Sequence, residues 1–207
     1  MGQQLSEKYT KEAPAYRKKI LIAGGGPAGM EAAITAAFRG HEVTLVEKSG
    51  KLGGNLHPAG MPYFKEDIRK FCQVLTKRVE RSGVKVLLDT EVTPEYVKAF
   101  APDVLIAAIG SREFRPPIKG MELPNVIMAI DAELHPEKLG RKVAIMGGGL
   151  VGSEAAVSFA QEGKEVAIIE MKDAIAEEVN SFYRGGLMPE VEKVAACYVH
   201  TRVREIT

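Results

Sequence analysis

The 207-residue chain has no tryptophan, two cysteines and almost no net charge, with 28 Lys plus Arg against 27 Asp plus Glu. The last two of these each remove a class of function. Cys72 and Cys197 lie far apart and form no CxxC, which excludes a disulfide scaffold, a thiolate zinc site and a cysteine-held iron–sulfur cluster within this chain. A formal charge of +1 gives no polyanion-binding surface, so no nucleic-acid partner is expected. The longest apolar runs, such as residues 104–109, are far shorter than the roughly 20 residues that cross a bilayer. Residues 1–19 are polar and have no signal-peptide core, so a cytoplasmic protein with no membrane partner is expected. No Ser/His/Asp set, carboxylate pair or ligating cluster is visible, so no catalytic side chain and no metal site are assigned.

Glycine is what the chain has in excess, 21 residues in clusters. Residues 18–23 read as a short buried strand that runs into Gly24-Gly25-Gly26-Pro27-Ala28-Gly29. An Ala-rich helix follows to Phe38, then a strand over residues 41–46 closed by Glu47. The pattern returns later as a strand over 141–146, the turn Gly147-Gly148-Gly149-Leu150-Val151-Gly152, a helix to Gln161, and a strand over 165–169 closed by Glu170. In each copy 23 positions separate the first glycine from the acid.

The spacing has a physical reading. Gly24 and Gly147 permit the tight turn out of the strand, Gly26 and Gly149 let backbone approach a pyrophosphate, and Gly29 and Gly152 let helix pack closely on strand. The helix N-terminus then presents free N–H groups and positive dipole to the phosphates, and Glu47 and Glu170 can accept from ribose hydroxyls. Alternating strands and helices predict an α/β fold of two Rossmann-like parallel-sheet lobes, residues 18–116 and 117–207, after a polar leader 1–17. The rigid pair Pro116-Pro117 marks the join. Other expected elements are an amphipathic helix over 65–81 with Ile68, Phe71, Val74, Leu75 and Val79 inward, and strands over 84–88 and 104–109. A helix over 176–194 is weakened by Gly185, Gly186 and Pro189, and residues 197–206 read as a last strand. Both cysteines read as buried structural thiols, and His57 as a plain loop histidine.

Residues 22–33 resemble the FAD fingerprint of the two-dinucleotide-binding-domain flavoproteins, the pyridine nucleotide-disulfide oxidoreductase superfamily. Leu52-Gly53-Gly54-Asn55-Leu56 resembles its next FAD segment, residues 103–110 its later "ATG" strand, and residues 147–154 its NAD(P) fingerprint. Residues 62–69, 83–86 and 90–93 are similar to the C-terminal FAD/NAD(P)-binding half of 2-enoate reductases, 2,4-dienoyl-CoA reductase and other NADH:flavin oxidoreductases. The resemblance implies an FAD site of Gly24, Gly26, Pro27, Ala28, Gly29, Glu47, Lys48, Gly53, Gly54, Asn55, Val92, Ala108 and Gly110. It implies an NAD(P)H site of Gly147, Gly149, Leu150, Val151, Gly152 and Glu170. The Glu170 carboxylate favours NADH over NADPH by repelling the 2′-phosphate, with Lys172 as a partial offset. In those enzymes a barrel domain carries FMN and an iron–sulfur cluster, so such a domain is the implied partner.

Two departures from the family pattern bear on function. Asn55-Leu56-His57-Pro58-Ala59-Gly60 stands where disulfide reductases place their redox cysteines, so that chemistry is not expected. No Gly-Asp dipeptide occurs, although the family closes its FAD site with one, so both lobes read as incomplete parts of a longer enzyme. Three functions stay open: an enoate or dienoyl-CoA reductase module that passes hydride from NADH to FAD, an electron-input subunit of the glutamate synthase type, and an adenine-nucleotide-binding fragment without turnover.

Overall fold

The computed structural model describes residues 16–207, so residues 1–15 of the expected leader lie outside the described residues. The chain divides into two compact units. One runs to Gly60 and resumes over Glu66–Ser111; the other takes Met61–Lys65 and Arg112–Thr207.

The first unit is a parallel sheet in the order β3-β2-β1-β4. Its strands are β1 (Lys19–Ala23), β2 (Glu42–Val46), β3 (Lys85–Leu87) and β4 (Val104–Ala107). The crossovers carry α1 (Pro27–Phe38), α2 (Leu56–Ala59), α3 (Glu66–Arg81) and α4 (Pro94–Phe100). Parallel pairing demands such long connections, and this strand order places a switch point between β1 and β4. Small residues on α1 let it lie close to the sheet: Ala33 and Ala36 are buried with Met30 against Ile20, Ile22, Val43 and Leu45. The inward face of α3 is Cys72, Leu75 and Val79. Phe71 and Val74, expected inside, are exposed, because the buried face runs through Cys72, Leu75 and Val79, spaced three and then four apart.

The second unit has a sheet in the order β5-β6-β7, again parallel, of β5 (Lys142–Met146), β6 (Glu165–Ile169) and β7 (Ala195–Tyr198). Its helices are α5 (Ala129–Leu134), α6 (Leu150–Gln161) and α7 (Ser181–Val194). The helix expected from residue 176 starts at Ser181, where Asn180 caps it by accepting from Tyr183 N–H at 2.9 Å. Residues 171–180 instead form a loop whose Ile175 and Ala176 are buried. Gly185, Gly186 and Pro189 do not break the helix, which is anchored by buried Leu187 and Val191. The last strand is shorter than expected, ending at Tyr198, where pairing with β6 stops. Cys197, expected buried, is exposed on this edge strand.

The two units share more than the glycine turns. The peptide N–H of Thr90 donates to Glu47 O, and that of Thr201 to Glu170 O; Asp89 N–H reaches Ser49 O as His200 N–H reaches Lys172 O. Asp89 and His200 both have left-handed backbone, at φ 50° and 51°. Each third strand therefore ends in the same turn, which fixes the segment after each acid. Among the described residues no helix is long and apolar enough to cross a membrane.

Glu133 on α5 is half-buried and accepts from Ser158 Oγ on α6 at 3.4 Å. Burial raises its pKa, the Ser158 hydrogen bond opposes this, and the Glu162 and Glu154 charges add to the rise, leaving it at about 7. The folded unit thus holds this proton above the ordinary value of 4.5, so stability falls as pH rises from about 4.5 through about 7. Glu133→Gln keeps the acceptor and removes the charge. Its melting temperature should exceed that of the unmodified protein at pH 8 and converge with it near pH 4.5; an equal difference at both pH values would contradict the assignment.

Candidate dinucleotide sites

Each glycine turn separates three steric tasks. Gly24 and Gly147 have φ of +106° and +103°, which a side chain disfavours, and their N–H groups bond Val46 O and Ile169 O at 2.8 and 2.9 Å. A Cβ at Gly29 would be driven into the carbonyl oxygen of Gly24, and one at Gly152 into that of Gly147. Gly26 and Gly149 differ. Their φ values of −72° and −70° suit any residue, and a Cβ at either would meet no atom within 4 Å. Neither backbone conformation nor internal packing requires glycine there, while the space beside both positions is open. Each is the N-cap of a 12-residue helix with no side-chain cap and no acid in the first turn. Such a helix end, with backbone approachable through glycine, fits a pyrophosphate.

The acids hold these turns in shape. Glu47 Oε2 accepts from Gly25 N–H at 2.6 Å and Oε1 from Ser49 N–H at 2.8 Å. Glu170 Oε2 accepts from Gly148 N–H at 2.7 Å and Oε1 from Lys172 N–H at 2.8 Å. Burial raises the pKa of both carboxyls, but the backbone donors outweigh it and leave both lowered. Both acids are therefore anions at neutral pH; Glu47 Oε1 also accepts from Ser49 Oγ at 2.8 Å, so on that acid Oε2 is the oxygen with a lone pair for a ribose hydroxyl. Gly25 and Gly148 were not among the expected site residues. A Cβ at Gly25 would lie 2.6 Å from Leu52 Cδ2, and one at Gly148 2.6 Å from Ile175 Cδ1. The visible signal is the middle glycine in each Gly-Gly-Gly run.

The other expected residues fall around these turns. Pro27 and Ala28 open α1, and Leu150 and Val151 open α6, both exposed. The Gly53 N–H donates to Gly25 O at 2.8 Å, and a Cβ on Gly54 would lie 3.1 Å from Gly26 Cα, so the Gly53-Gly54 loop borders the first turn. Ala108, just past β4, bonds Ala23 O and packs against Gly24 at the switch point. Lys48 and Asn55 are exposed beside the turn, and Gly110 has φ +71°. Val92 is half-buried two residues beyond Thr90, which bonds Glu47 O. His57 Nε2 is 2.8 Å from Leu52 O, a structural contact within the loop.

The second turn opens on a cleft of about 580 Å³ bordered by Gly148, Gly149, Glu170 and Lys172. It also contains a cluster that the motifs did not single out. Lys65 forms an ion pair with Glu154 of α6 and donates to Tyr183 Oη at 2.8 Å, while Tyr183 donates to the same Glu154 oxygen at 2.5 Å. Burial disfavours the Lys65 charge, but the bonds to Glu154 and Tyr183 outweigh it, and its pKa is raised. That partnership explains why residue 65, expected to begin α3, belongs with the second unit as part of a 3₁₀ turn.

The two braced glycine turns thus give an α/β protein with two open helix N-termini, each of which fits a pyrophosphate. Residues 18–207 match the family described as pyridine nucleotide-disulphide oxidoreductase, and the chain belongs to that family. It is 44% identical over 160 residues to cinnamate reductase of Clostridium sporogenes, covering 77% of this chain and 24% of that protein. It is 39% identical over 188 residues to an NADH oxidase of Thermoanaerobacter brockii, covering 89% of this chain and 29% of that protein. A solved 2-naphthoyl-CoA reductase complex superposes with a TM-score of 0.91 at 33% identity, over 98% of this chain and 31% of that one. The chain thus spans about a quarter to a third of the relatives it matches. Membership implies FAD and a pyridine nucleotide. The family's disulfide has no counterpart among these residues, since Cys72 and Cys197 are both free.

Gly29→Ala and Gly152→Ala should each destabilise their own unit by about 1–3 kcal/mol, the usual cost of forcing bulk into a packed contact. Chemical denaturation would measure it. Unchanged midpoints would show that the turns have slack that the close approach to Gly24 O and Gly147 O denies.

Proposed function

We propose that the first unit holds FAD, the second holds NADH, and the chain is the electron-input module of an enoate-reductase-type oxidoreductase. The observation that carries this is the open space at Gly26 and Gly149, beside uncapped helix ends and next to braced carboxylates. With both groups bound, the nicotinamide would supply a hydride, its two electrons and proton together, and the flavin would be its acceptor. The chain's own residues bind and orient: Gly26, Pro27, Ala28 and Gly29 at the FAD pyrophosphate, with Glu47 at its ribose. Lys48, Gly53, Gly54, Asn55, Val92, Ala108 and Gly110 border the flavin site. Gly147, Gly149, Leu150, Val151 and Gly152 face the nicotinamide dinucleotide, with Glu170 at its adenosine ribose. The FAD lobe is the unit of residues 18–60 and 66–111, and the NADH lobe that of residues 61–65 and 112–207.

Electrons then pass to a partner domain, a barrel with FMN and an iron–sulfur cluster. Support comes from the names of the relatives, several of them reductases, and from cinnamate being itself a 2-enoate. A cytoplasmic location fits a module fed by NADH.

Gly26→Ala and Gly149→Ala make the test, since both backbones accept alanine. In the full protein that carries this chain, Gly26→Ala should lose bound flavin, read as visible absorbance, yet keep NADH binding. Gly149→Ala should keep flavin and weaken NADH by at least about tenfold, roughly 1.4 kcal/mol. Full flavin occupancy in the first variant, or undiminished NADH affinity in the second, would contradict the assignment.

A further inference from the structure

We propose that Glu178 makes the second unit select NADH over NADPH by holding the ammonium of Lys172; the inference rests on reading that unit as the pyridine-nucleotide site. Glu170 alone is an incomplete selector. Its two oxygens already take the N–H groups of Gly148 and Lys172, so its charge is partly met by backbone donors. The side chain of Lys172 borders the same cleft two residues on, where an ammonium would ordinarily welcome a 2′-phosphate. That ammonium is occupied: Lys172 Nζ is ion-paired with Glu178 across the loop that precedes α7. The bond to Glu178, then the charges of Glu178, Glu177 and Glu170, hold the lysine in its charged form.

The second cation of the cleft offers no substitute, because Lys65 is engaged by Glu154 and Tyr183. A 2′-phosphate entering here meets the carboxylates of Glu170, Glu177 and Glu178 around one lysine that is already paired. The 2′-hydroxyl of NADH brings no charge and can donate to Glu170. The loop can lose Glu178 without unfolding, since its side chain is 82% exposed.

The experiment titrates NADH and NADPH, by nicotinamide fluorescence, against the full protein that carries this chain. Three forms are compared: unmodified, Glu178→Gln, and Glu178→Gln combined with Lys172→Met. The readout is the ratio of the two affinities. Glu178→Gln should raise relative NADPH affinity by about tenfold at low ionic strength, shrinking as salt screens the freed lysine. Lys172→Met should abolish that gain. The proposal is overturned if the unmodified protein binds both nucleotides equally, if Glu178→Gln leaves the ratio within about twofold, or if the gain survives without Lys172. If the unmodified protein binds neither nucleotide, the reading of the second unit is what fails, and the selector falls with it.

Discussion

In each unit the carboxylate that ends the second strand accepts a hydrogen bond from the middle glycine of the preceding turn, Gly25 to Glu47 and Gly148 to Glu170. A glycine-rich turn has the largest conformational entropy to lose, and something must hold it in one shape. The anion does so from a buried position, and charge-assisted bonds of this kind are roughly twice as strong as neutral ones. The strand register agrees with it. Gly24 N–H meets Val46 O and Gly147 N–H meets Ile169 O, so the glycine turn and the acid face each other at the same edge of both sheets. The helix N-terminus is then aimed over that edge, and the second glycine is left facing open space.

Much of this was legible in the sequence because it depends on local chemistry. Strand, turn, helix and acid each have a residue signature, and two copies at one spacing identify the frame. What was not legible depends on contacts across the fold. Residues 176–180 look helical by composition, yet Ala176 N–H bonds Gly148 O, and Ile175 fills the space under that glycine. A tertiary bond of this kind overrides propensity. The exposure of Cys197 follows from β7 lying at the sheet edge, which sequence does not state. Helix α4 is a different case. Thr93 caps it through Tyr96 N–H at 3.2 Å, with Pro94 at its first position, so both start signals were present and only the helix was missed.

The site was partly hidden for a related reason. A motif written as alternate glycines treats the middle residue as free, whereas Gly25 and Gly148 are where turn and acid meet. Lys65 is separated from Glu154 by 89 positions, and no spacing rule joins them. Its cluster with Tyr183 explains how a half-buried ammonium is tolerated: one ion pair and one hydroxyl compensate for lost water.

The two carboxylate braces act independently, one in each unit. Amide hydrogen exchange of Gly25 and Gly148 tests that most directly, in the unmodified protein and in Glu47→Gln and Glu170→Gln. Both amides should be protected at neutral pH. Glu47→Gln should accelerate exchange at Gly25 and leave Gly148 protected, and Glu170→Gln should do the reverse. Fast exchange at both glycines in the unmodified protein, or protection that survives loss of the facing carboxylate, would contradict the central claim.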